Sequence, residues 1–226
     1  MPPYYHLCFG VRDTNIQPGF VASVYETIFA AGFPFAGVAP WGCPPDMKLD
    51  AIVDWNQQRL ERKFVLGFTD HVSLDYRQIL LAHPLYSHCR LYIYARNSQF
   101  VLIVPEAEIF ENCTGPIYEA DADLSFVAER VRALEMLARH VWSSGLFAAI
   151  QTNGELGYAL AVDELDTGQA ASVVPFAILD DRSFTSQRFD ERACTIEAVP
   201  SGGHFIRLGD GWAPTETTNR SGERRR

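Results

Sequence analysis

At 226 residues the chain is long enough to bury a core without disulfide or metal staples, and one domain is the default at that length. Hydrophobic residues make up 47% and aromatic residues 12%, which excludes a disordered chain. The net charge is −9, and because phosphate binding needs clustered cations, this argues against nucleic acid as the ligand.

Residues 4–11 (YYHLCFGV) read as an opening strand, with His6 and Cys8 on one face. Asp13, Thr14 or Asn15 is placed to cap a helix running to about Ala31, with Phe20, Val21, Val24, Ile28 and Phe29 inward. The Pro- and Gly-rich stretch 33–45 predicts a long ordered loop. Met47 to Arg62 resumes helical spacing, with Leu49, Ile52, Val53 and Leu60 inward. A short strand is predicted over 64–68 and a short helix over 73–82. The clearest β signal follows, 90–95 (RLYIYA) and 99–104 (QFVLIV), two runs of strand formers around a polar link.

The longest helix is predicted over residues 123–144, beginning at Asp121 or Asp123 and ended by Gly145. Its apolar stripe is Phe126, Val127, Val131, Leu134, Leu137, Ala138 and Val141. Residues 146–152 and 157–162 read as a hairpin about Asn153-Gly154. Residues 172–179 are apolar, but Pro175 makes them an edge strand or an interrupted one. A last hairpin joins 194–199 to 204–208. Strands paired through tight turns, without regular helix alternation, predict an α+β fold with mainly antiparallel sheet. The expected organisation is a single domain over 1–211, with two similar halves (about 1–112 and 113–211) as the alternative, and a flexible basic tail over 212–226.

That tail concentrates positive charge. Residues 220–226 hold four Arg and one Glu, a local +3, which leaves −12 on residues 1–219. An acidic body attracts a basic partner. The N-terminus lacks the charged and apolar regions of a secretory signal, and no window approaches the roughly 18 apolar residues of a membrane span. Five widely spaced cysteines (Cys8, Cys43, Cys89, Cys113, Cys194), with no CxxC pair, favour free thiols in a reducing compartment. The cytoplasm is the expected location, with no membrane association.

Candidate chemistry is sparse. His83 and His88 are the one close histidine pair and have no adjacent carboxylate, so no metal or other cofactor is expected. The sequence has no GxSxG elbow, GxxxxGK[ST] loop or GxGxxG fingerprint. The carboxylates of 163–166 (DELD), Asp180-Asp181 and 119–123 (EADAD) are the remaining material for acid–base work, although Asp at helix starts and strand ends usually caps and turns. Taken together with Tyr118, Tyr158 and Phe184 they have the makings of a protein-binding patch for a basic target. The candidate contact residues are Trp41, Trp55, Tyr118, Glu119, Asp121, Asp163, Glu164, Asp166, Asp180 and Asp181.

The opening segment Tyr4 to Arg12, the helix Phe20 to Phe29, Trp41-Gly42 and the strand pair 90–104 together resemble immunity proteins of bacterial toxin–immunity pairs. The similarity is to those that accompany nuclease toxins of contact-dependent or type VI secretion systems. It covers about the first half of the chain, contains no diagnostic motif, and carries over no binding residue. It implies a cytoplasmic inhibitor, not an enzyme, that occludes the active or substrate-binding site of a cognate toxin enzyme, a nuclease with a basic or metal-binding cleft. The rival readings are a small hydrolase using the carboxylates between Asp163 and Asp181 or a nucleophile at Cys8 or Cys89, and an adaptor whose partner is not a toxin.

Overall fold

A computed structural model of the chain describes residues 3–40, 44–61, 76–94, 97–114, 123–155, 157, 159–190 and 193–209. Its strands, in chain order, are β1 (Tyr4–Gly10), β2 (Phe35–Val38), β3 (Ile79–His83), β4 (Tyr86–Tyr94), β5 (Gln99–Pro105), β6 (Phe110–Thr114), β7 (Asp123–Phe126), β8 (Ala149–Asn153), β9 (Phe176–Asp180), β10 (Cys194–Val199) and β11 (Gly203–Leu208). Its helices are α1 (Phe20–Ala30), α2 (Leu49–Glu61), α3 (Ala128–Ser143), α4 (Val162–Asp166) and α5 (Asp181–Thr185). The architecture is α+β.

Nine strands form one sheet in the order β10-β11-β9-β8-β1-β5-β4-β3-β2, and β6 and β7 pair separately. Every neighbouring pair of strands is antiparallel. The opening strand β1 lies at the centre because both of its edges are paired, Leu7 standing opposite Leu102 on one side and Thr152 on the other. One sheet therefore runs without a break across the β1–β8 junction.

Successive side chains of a strand point to opposite faces, and each face has its own cover. Tyr5, Leu7 and Phe9 of β1 pack with Phe20, Val24 and Ile28 of α1, Leu134 and Val141 of α3, and Phe176 and Phe205 of the far strands. Each such fully buried side chain contributes about 1.5–3 kcal/mol. On the second face Val162 and Leu165 of α4 pack on Ala149, Leu179 and Ile206. Gly10 permits this approach, since a Cβ there would stand 2.9 Å from Val162 Cγ2. Among the described residues no helix is long and apolar enough to cross a membrane.

Several elements differ from their sequence reading, each for a local reason. The helix over 123–144 starts only at Ala128, because Asp123–Phe126 is spent as β7 against β6. The helix at 20–30 is not capped by Asp13, Thr14 or Asn15, which form a separate 3-10 turn. Gly19 at φ 81° opens it, and the free Val21 N–H donates to Gln57 Oε1 of α2 at 2.8 Å. The long loop over 33–45 contains a four-residue strand, β2, at the sheet edge, where neighbouring prolines do no damage. Of the stretch 73–82 expected to be helical, 73–75 lie outside the described residues and the chain from Ile79 runs as β3, with Ile79 and Leu81 inward at a period of two.

The hairpin about Asn153-Gly154 does not form. Both edges of β8 are already taken, by β1 and β9. The buried Gln151 side chain stands in for the missing partner, donating to Leu160 O at 2.8 Å and accepting from Leu160 N at 3.2 Å. Of the two readings of 172–179, the interrupted strand is the observed one: β9 lies inside the sheet between β8 and β11, with a lone bridge from Val173 to Thr152 before it. The hairpins at 86–105 and 194–208 and the helix at 49–61 stand as expected. The strand over 64–68 and the tail over 212–226 lie outside the described residues.

Candidate functional site

The sheet brings two of the acidic segments to one corner. β9 ends in Asp180 and leads directly into α5, while α4 packs against α5 across the second face. Arg12, just past the end of β1, reaches into the gap between them. Its Nη1 donates to Asp166 Oδ2 at 2.7 Å and its Nη2 to Asp180 Oδ2 at 2.7 Å. Asp166 is further held by Ser183 Oγ at 2.9 Å and by Arg182 Nε at 2.9 Å, and only 5% of its side chain is exposed. Asp180 also accepts from Ser183 N at 2.8 Å, the N-cap of α5.

This wiring sets the electrostatics. The Arg12 guanidinium holds the Asp166 carboxyl below the ordinary carboxylate range, with Ser183 and Arg182 adding to it. Arg12 is correspondingly held protonated by Asp166 and Asp180. Glu164 is half-buried and caps its own helix, accepting from Ala161 N at 2.9 Å. Asp163 and Asp181 are left facing solvent. Five carboxylates against Arg12 and Arg182 leave the corner at −3.

Aromatic rings complete it. Phe184 lies nearly parallel to His204 of β11, with centroids 3.8 Å apart, and to Phe189 at 5.7 Å. Asp181 Oδ1 meets His204 Nε2 at 2.9 Å.

Of the expected contact residues, Asp163, Glu164, Asp166, Asp180 and Asp181 thus converge, with Asp166 and Asp180 turned inward as structural anchors. Trp41, Tyr118, Glu119 and Asp121 lie outside the described residues. Trp55 sits elsewhere, beside β3 at the other end of the sheet, half-buried with Arg59 Cζ 4.4 Å and Arg77 Cζ 4.3 Å from its ring. Arg12, Ser183, Phe189 and His204 were not singled out from the sequence. Arg12 is 154 residues from Asp166, and no local spacing announces such a pair.

Elsewhere, among the described residues, the thiols of Cys8, Cys89 and Cys194 are buried. Burial pushes the Cys8 and Cys89 thiols up to about 12, and raises Cys194 as well. Among the described residues no group of three or more His, Cys, Asp or Glu is placed to hold a metal ion. Comparison of the chain with protein-family models, with curated proteins and with solved structures finds no match.

Proposed function

We propose that this chain is an inhibitory binding protein of the immunity type, which neutralises a partner enzyme, a nuclease, by covering the basic channel that holds its substrate. The observation that carries this reading is the acidic corner itself. Arg12 gathers two segments distant in sequence and leaves Asp163 and Asp181 outward on a framework of hydrogen-bonded, ion-paired side chains. A surface of that kind is pre-organised, so little side-chain freedom is lost when a cationic cleft docks on it. Its charge steers encounter and competes with phosphate, while aromatic and desolvated contacts set the lifetime of the complex.

The hydrolase reading receives less support. Asp166 and Asp180 are both engaged by Arg12, and Asp166, held low by that guanidinium, is a poor general acid. Cys8 and Cys89 are core thiols, protonated at neutral pH, where a nucleophile needs the thiolate.

The test is kinetic. The product of a toxin gene next to this one is expected to bind in a 1:1 complex, with an association rate that falls as salt rises. Replacing Asp163 and Asp181 together by Ala is expected to slow association and flatten that salt dependence. Unchanged kinetics in the double variant would remove this corner from the interface.

A further inference from the structure

Three rings stand at the acidic corner beside its carboxylates. Phe184, Phe189 and His204 are half-buried, with Phe189 and His204 within 12–15° of parallel to Phe184, and the Asp181 carboxylate, 73% of whose side chain is exposed, lies at the edge of His204. The chain already builds this combination once within itself, on the same β10–β11 hairpin: Arg139 Cζ lies 3.9 Å over the Phe205 ring while its Nη2 donates to Glu197 Oε2 at 2.7 Å. There a guanidinium uses its flat face for the ring and its edge for the carboxylate. At Phe184 and Asp181 the ring and the carboxylate are present, Asp181 Oδ1 meeting His204 Nε2, while Arg12 is committed to Asp166 and Asp180 and the Nε of Arg182 to Asp166.

We propose that this ring stack is a docking site for an arginine side chain of the basic partner, and that it discriminates against lysine. The inference rests on the acidic-corner reading and deepens it. A planar, weakly hydrated guanidinium extends a parallel stack and pairs side-on with a carboxylate, whereas a compact ammonium keeps its water and gains charge attraction alone.

The experiment uses the full chain at pH 8 and low ionic strength, titrated separately with a hexa-arginine and a hexa-lysine peptide. Hexa-arginine is expected to bind about fivefold more tightly. Phe184→Leu, which keeps the apolar volume, is expected to bring the ratio to about one while both peptides still bind in a salt-dependent way. Wild-type Phe184 ring protons, followed by NMR, are expected to shift with hexa-arginine and not with hexa-lysine, which decides the matter even if the variant folds poorly. Equal affinities together with unmoved ring protons would overturn the arginine site and leave the acidic corner standing. Absence of binding by either peptide would overturn the acidic corner, and this inference with it.

Discussion

Arg12→Ala removes the side chain on which the acidic corner is strung. Only 5% of the Asp166 side chain is exposed, against 21% for Arg12 and 24% for Asp180. Breaking a buried pair by deleting one partner costs about 3–5 kcal/mol, whereas exposed pairs are worth about 0–1 kcal/mol. Asp166 keeps Ser183 and the largely exposed Arg182, and Asp180 keeps its N-cap bond, so the loss belongs below the buried range, at about 2–3 kcal/mol. For a chain of this size that is a fall in melting temperature of roughly 5–10 °C, measured by calorimetry. The pH dependence has a definite sign. Because Arg12 depresses the Asp166 carboxyl, the stabilisation is fully present above the ordinary unfolded value, near 3.9, and disappears as pH falls through the lower folded value. Wild type and variant are therefore expected to converge in acid. A loss under about 0.5 kcal/mol at neutral pH would show that Arg12 acts as an ordinary surface pair and that the corner is not held by it.

Three further outcomes follow from the packing. Gly203→Ala would set a Cβ 2.4 Å from Cζ2 of the buried Trp142, whose Nε1 donates to Pro200 O at 3.1 Å; overpacking there is expected to cost about 1–3 kcal/mol in a urea melt. Gln151→Ala takes the acceptor from the Leu160 and Ser172 N–H groups, while Leu160 O keeps Gln99 Nε2, and is expected to cost about 1–3 kcal/mol and to speed hydrogen exchange over 159–161 more than in β1. With thiols pushed up to about 12, Cys8 and Cys89 are expected to stay unlabelled by iodoacetamide at pH 8 in the native protein and to label fully in denaturant, as read by peptide mass spectrometry.

The elements legible in the sequence are those with a strong local period: the stripe of α3 from Val131 to Val141, the β4–β5 pair, and the final hairpin. The misreadings all arise where a distant partner decides. Asn153-Gly154 is a fair hairpin signal, yet β8 has no free edge, and the 159–160 backbone is met by the side chains of Gln151 and Gln99 instead. Ile79 to Ala82 falls within the helix expected over 73–82, and becomes a strand because β2 and β4 wait on either side. The helix at Phe20 borrows its cap from Gln57, 36 residues away from the N–H it satisfies.

The candidate site shows the same division. Acidic composition identified Asp163, Glu164, Asp166, Asp180 and Asp181, but not which of them face solvent. That sorting belongs to Arg12, whose role comes from lying at the end of the central strand, and to Ser183, which touches both Asp166 and Asp180. The ring stack was equally hidden, since Phe184 and His204 meet only when β11 pairs with β9.

The central claim is that the protein acts by covering another macromolecule's working surface. Titrating it into a candidate partner nuclease, sought among the products of neighbouring genes, tests this most directly: activity is expected to fall linearly to zero at one equivalent, and to return when Asp163 and Asp181 are both Ala and the salt is raised. Full nuclease activity in the presence of a tenfold excess of the wild-type chain would contradict the account.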